Sequence, residues 1–256
     1  MRRLALLLAG YVERSFLGAL AWRAFMLTLV VQAVVPPLVG MAVWTRALPD
    51  QPALAAYFAI LLFVRLLTVS YEPHTLMNAI YTGALTDELL LPRPAVLGTL
   101  GDNLAWRAWH VLMALPLLAA VWLAGSVHVG WGAVALALPA MLLAAALRFL
   151  YSYLLVLTAF WTERGMAVAA LGTLLVFLLG GEAAPVPLMP ERYRGWAAVL
   201  PFRAMIGFPA EVAAGLVGGS DLLFGYAWQA VWLTVLGTAA AWVWRLGVRR
   251  YTAVGG

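Results

Sequence analysis

The chain has no cysteine and no lysine among its 256 residues. Without Cys there is no thiol nucleophile, disulfide, iron–sulfur cluster or Cys-ligated zinc, and nothing reports the redox compartment. Without Lys there is no phosphate-binding loop of the GxxxxGK[ST] type, and Schiff-base or Lys-base chemistry is excluded with it. Charge is scarce too, at 11% of residues, against about 25% in a soluble domain. The 16 basic residues are all Arg, and they face 11 acidic residues and 3 His. His74, His110 and His128 lie far apart and outside any HExxH pattern, so neither a metal site nor a His base is expected.

Apolar residues dominate what remains. They make up 65% of the chain, and the mean hydropathy is +0.94. These values describe an all-α polytopic integral membrane protein, with room for about five to seven spans of about 20 residues. The net charge of +5 then reports orientation and contact with membrane lipids, not nucleic acid.

The first stretch, residues 1–20, reads MRRLALLLAGYVERSFLGAL. Leu4, Leu7, Leu8, Tyr11 and Phe16 approximate one helical face, with Arg3, Glu13 and Arg14 elsewhere. This pattern predicts an amphipathic helix on the membrane surface. A cleaved secretory signal is the alternative, but Glu13-Arg14 follows the apolar run without a small-x-small cleavage site.

Residues 21–256 read as a single domain of six transmembrane helices. The candidate spans are about Ala21–Trp44, Ala53–Tyr71, Leu104–Ala124, Ala133–Phe160, Met166–Leu179 and Leu222–Trp244. Pro36-Pro37 should kink the first near its outer end. The segment GSVHVGWG, with His128, reads as an outer turn. Arg2, Arg3, Arg14, Arg23, Arg93, Arg107, Arg164, Arg245, Arg249 and Arg250 fall on one side if the span count is even. Arg excess marks the cytoplasmic face. Both termini and the loop 78–103 are therefore expected inside a cytoplasmic (inner) membrane. The tetrapeptide Ala-Trp-Arg-Ala occurs at 21–24 and again at 105–108, which reads as similar interfacial anchoring by Trp and snorkelling Arg.

The fifth run is short. Its fourteen residues reach only about 21 Å against a core of about 30 Å. The Pro- and Gly-rich segment 181–221 that follows is still apolar, and irregular backbone at membrane depth must be covered by protein. It predicts an outer re-entrant hairpin between the fifth and sixth spans, with short helices at about Tyr193–Leu200 and Arg203–Leu216. Phe202, Met205 and Phe208 are its candidates for an outer gate; the other reading is that they seat the hairpin in lipid.

The loop 78–103 carries TGALTDELLLPRPAV. Asp87 and Glu88 precede Leu89, Leu90 and Leu91, and Pro92-Arg93-Pro94 ends any helix. A short helix with an acidic start and a leucine ridge suits contact with another protein or the membrane surface, whereas a solvated loop with an accidental Leu run is the plainer alternative. FWTERG (Phe160–Gly165) is a tight turn or a second contact point. Inside the spans, Arg65 and Arg148 are costly charges. Glu72 follows Arg65 by seven residues, nearly the same face of one helix. Arg65, Glu72 and Arg148 are thus in-membrane candidates, either for structural pairing or for lining a path.

Three segments, TDELLLPRP (Thr86–Pro94), FWTERG (Phe160–Gly165) and LPFRAMIGFPAEVAAG (Leu200–Gly215), resemble in order and placement the permease subunits of ABC-2-type transporters. The resemblance spans nearly the whole chain. It implies a homo- or heterodimer of permeases driven by a separate ATP-binding cassette subunit that holds ATP and Mg, with no cofactor or catalysis in this chain. It also implies that the loop after the second span docks on the ATPase, which carries that role onto Asp87, Glu88, Leu89, Leu90 and Arg93. The cargo is not implied. A self-sufficient secondary carrier is the competing reading, and it would need ion-binding residues in mid-span. An integral membrane enzyme would need paired Asp, Ser-His or His-Glu equipment, which is missing from the pattern.

Overall fold

The computed structural model describes residues 2–51, 53–123 and 130–251, so His128 and most of its turn lie outside the described residues. Twelve α-helices follow in order among those residues: α1 Arg2–Ala21, α2 Arg23–Ala47, α3 Ala53–Thr68, α4 Leu76–Thr82, α5 Leu85–Leu89, α6 Val96–Leu123, α7 Trp131–Val156, α8 Gly165–Leu179, α9 Glu191–Val199, α10 Pro201–Met205, α11 Gly207–Ala213 and α12 Gly219–Arg250. A 3₁₀ turn, Leu157–Phe160, joins α7 to the loop before α8. By length and composition α1, α2, α7 and α12 are each able to cross a membrane, while α3 and α8 are apolar but shorter. The protein is an all-helical, multi-pass membrane protein.

The helices form a bundle with two distinct ends. One end gathers α4, α5, the start of α6, the 3₁₀ turn and the end of α12. The other gathers α9 to α11 with the start of α12. The main core lies where α3, α7, α10, α11 and α12 meet, around Tyr57, Phe58, Leu61, Leu147, Met205 and Phe208. A second core beneath α4 joins Met77 and Leu85 to Tyr153 and Leu157. Helix α1 lies along the first half of α6. Its stripe Tyr11, Ser15 and Ala19 faces Gly98, Gly101 and Asp102, and Trp109 Nε1 donates to Phe16 O at 2.9 Å.

Several sequence expectations require correction. Helix α3 stops at Thr68, not Tyr71, because Pro73 lacks an N–H and disfavours helical geometry in the residue before it. Glu72 is therefore not on the helix of Arg65. The second hairpin helix is two helices with a break at Ile206, where φ is −140° and ψ is −57°. Pro209 explains the break. Its ring would clash with the Met205 carbonyl in a continuous helix, whereas the first turn of a new helix accepts it. Gly40 and Gly172 are covered from within the chain, by Phe58 and by Leu155 with Tyr151. Pro36 and Pro37 stand inside α2, which remains one helix, as a Pro-kinked helix does.

Candidate functional site

The acidic-leucine segment is built at the α4–α5 end. Gly83, with φ of +83°, ends α4 in the left-handed region that favours glycine, and α5 then holds Asp87 and Glu88 in its first turn. Glu88 Oε2 accepts a hydrogen bond from the Tyr11 hydroxyl at 2.8 Å and lies 3.4 Å from Arg93 Nη2. The Arg93 guanidinium sits 4.5 Å from the centre of the Tyr11 ring. Burial and the Glu88 carboxylate both push the Tyr11 phenol up. Glu88 and Arg93 thus have partners inside the chain, on α1. Leu89 packs against the core beneath α4. Asp87 and Leu90 are left outward, Leu90 with 79% exposure, and Leu91 and Pro92 are exposed beside them.

The FWTERG turn is tied to the same end. Tyr81 of α4 donates its hydroxyl to Thr162 O at 2.9 Å and accepts from the Gly165 amide at 3.0 Å. Trp161, Glu163 and Arg164 are exposed there. The two loops are fixed to each other by Tyr81, so they form one rigid face.

The charges within the bundle divide into three groups. Arg65 pairs with Glu182, which follows the Gly180-Gly181 turn after α8 and is 2% exposed. Glu72 instead takes the Asn103 amide at 2.5 Å, close to Arg107. Arg107 does not snorkel. It is buried and donates to Val69 O and Ala145 O, each at 2.8 Å. Arg148 forms no ion pair among the described residues, and its buried Nε has no hydrogen-bond partner there. An unpaired Arg within a bilayer costs about 2.5–3.5 kcal/mol on insertion scales. Arg65 and Arg148 both line a cavity of about 370 Å³ between α2, α3, α7 and α8, whose wall includes Ile206 at the α10–α11 break.

The third group lies at that break. Arg203 Nε donates to Glu211 Oε2 at 3.1 Å, and Nη2 reaches the same oxygen at 2.5 Å. Every residue of α10 and α11 is buried, including Phe202, Met205 and Phe208. They pack inside protein. Phe208 is received at Gly225 of α12, where a Cβ would overlap the ring. Gln229 of α12 donates its amide to Ala140 O at 2.9 Å and to Ala204 O at 3.0 Å, joining α7, α10 and α12.

Sequence reasoning missed Glu182, Glu211, Gln229 and the buried role of Arg107. The available signal was an acidic residue inside each of two apolar Gly/Pro-rich runs, GGEAAP and FPAE. His110 is fully buried, with Nδ1 2.7 Å from Trp106 O and Nε2 3.0 Å from the Tyr71 hydroxyl. No group of three or more potential metal ligands occurs among the described residues.

Comparison with known proteins gives one family and no individual relative. Neither the curated proteins nor the solved structures contain a match. The family described as ABC-2 family transporter protein matches residues 18–255, so nearly the whole chain is covered and the protein belongs to that family.

Proposed function

We propose that this chain is the permease subunit of an ATP-driven exporter, moving cargo across or out of the cytoplasmic membrane with energy from a separate ATP-binding subunit. Members of the family are membrane transport components and are not themselves catalytic. The observation that carries the reading is the α4–α5 end: Asp87, Leu90 and Leu91 project from a segment held by the Glu88–Tyr11–Arg93 clamp and braced through Tyr81 to the FWTERG turn. A coupling surface has to be both exposed and stiff, since a floppy contact would absorb the ATPase stroke. ATP and Mg belong to the partner subunit in this reading.

The topology proposed has six spans, α2, α3, α6, α7, α8 and α12, with α1 at the inner interface and both termini cytoplasmic. Helices α9 to α11 form the outer re-entrant segment. Irregular backbone between α10 and α11 is compatible with membrane depth because protein covers it on all sides. A second permease would sit on the exposed ridge Leu27, Val31, Val35, Val39 and Val43 of α2, whose spacing of four makes a continuous packing row. The secondary-carrier alternative is disfavoured because Glu182 and Glu211 are already neutralised by Arg65 and Arg203.

The coupling reading is tested by co-expressing the chain with candidate ATP-binding cassette subunits from the same genome. Leu90→Asp is expected to insert and fold normally, to lose co-purification of the ATPase and to abolish transport. Undiminished co-purification with Leu90→Asp would sink the docking surface.

A further inference from the structure

The cavity between α2, α3, α7 and α8 holds more positive charge than the chain balances. Its lining brings together Arg65, Arg148, Ser70, Tyr71 and His74, with Gln32 and Thr173 at an exposed rim. Glu182 compensates Arg65. Arg148 has no ion pair among the described residues and an unpartnered buried Nε; the Glu72 carboxylate acts on it at longer range but is shared with Arg107. An Arg at such depth is stable when it is paired or faces a water-filled space, and here it faces a space of about 370 Å³. Pockets of this order accept small ligands or the head group of a larger one.

The surroundings of the opening indicate how a ligand arrives. Gln32 of α2 and Ala170 and Thr173 of α8 are exposed. Beside them lie Leu171 and Leu174 of α8 and Val31 and Val35 of α2, all exposed, the two valines on the flank of the ridge where the second permease is proposed to sit, so the opening borders that interface. A polar, cationic chamber therefore opens between two apolar helix faces. That arrangement fits an amphiphile whose chain remains against the helices while its anionic end enters.

We propose that this cavity binds an anionic group, a phosphate or carboxylate, presented as the head group of an amphiphile entering between α2 and α8. The guanidinium of Arg148 supplies the charge that has no direct partner, Arg65 a second set of N–H donors, and Gln32 and His74 donors at the rim. The site stands on the cavity itself. Its use as a cargo site rests on the permease reading above.

The test uses the purified full chain in a neutral maltoside detergent, without any ATPase, and dodecyl phosphate as the probe in titration calorimetry. Saturable binding is expected, weakened at least tenfold by Arg148→Gln and by Thr173→Asp. The second variant places a repelling carboxylate at the exposed rim, so it keeps the test decisive if the first fails to fold. Dodecyltrimethylammonium should not compete. Inorganic phosphate competing as strongly as dodecyl phosphate would assign the anion site to a free ion, and a clear preference for dodecyl phosphate would assign it to a lipid-like ligand. Equal binding of the cationic amphiphile, or binding that neither variant weakens, overturns the proposal. Intact dodecyl phosphate binding in a chain that never transports with any ATPase would count against the permease reading and leave the site standing.

Discussion

Arg203 and Glu211 close the corner between α10 and α11 as a buried ion pair, with Glu211 wholly enclosed. Removing one member strands the other, and the usual penalty for a stranded buried charge is about 3–5 kcal/mol. Glu211→Gln is therefore expected to lower the thermal unfolding midpoint sharply in detergent. Arg203→Met combined with Glu211→Leu should recover part of the loss, because replacing a whole pair with apolar groups is often tolerated. Equal losses in the single and double variants would refute the pair as the cause. Such partners were only partly legible in the sequence. Arg65 was visibly anomalous within LLFVRLLTV, but its partner Glu182 is separated from it by five helices, and the nearer Glu72 is excluded only because Pro73 ends α3 early. The two Ala-Trp-Arg-Ala copies show the same limit. Arg23 is exposed, while Arg107 is buried against Val69 O and Ala145 O, a difference set by neighbours that local spacing does not encode.

At the level of helices and their breaks, the sequence was informative wherever apolar runs were long and punctuation was strong. Helices α2, α7 and α12 follow from hydropathy and length, and α5 follows from its acidic start and the Pro92-Arg93-Pro94 stop. Pro209 was equally visible, yet its effect on the hairpin depends on Phe208 finding Gly225 and on the Gln229 amide reaching Ala204 O, contacts made by a helix that comes later in the chain. Adjacent leucines in α5 have opposite environments, which gives a second prediction. Leu89 packs on the core beneath α4 and Leu90 does not. Leu89→Asp sets a carboxylate against that core and should lower stability by about 1–3 kcal/mol, whereas Leu90→Asp should stay within about 0.5 kcal/mol of the parent. Thermal unfolding of the two purified variants checks this, and similar midpoints would mean that α5 is not seated as described.

For the whole molecule, the lack of native cysteine makes the arrangement in the membrane directly measurable. Thr82 of α4 and Ser220 of α12 are both exposed, at opposite ends of the bundle. Single Cys substitutions there should react with impermeant maleimide from opposite sides, Ser220→Cys from outside and Thr82→Cys only after the membrane is opened. Reaction of both from one side would refute six spans with α9–α11 outward. In the same background, oxidised Val35→Cys should yield a cross-linked pair of chains if the α2 ridge joins two permeases, and monomer alone would reassign that ridge to lipid. The seat of Phe208 at Gly225 and the reach of Gln229 to Ala204 O also bear on the order of biogenesis. Helices α10 and α11 find α3, α7 and α8 already made but emerge from the ribosome before the α12 side of their seat exists, so a nascent chain carries the Arg203–Glu211 pair with one flank open until α12 has been inserted. A chain truncated after Gly218 should accordingly insert but remain protease-sensitive across 201–213 and be cleared quickly in a pulse-chase, whereas supplying α12 as a separate fragment should restore protection. In this protein a helix made after the elements it covers completes the part of the structure buried deepest.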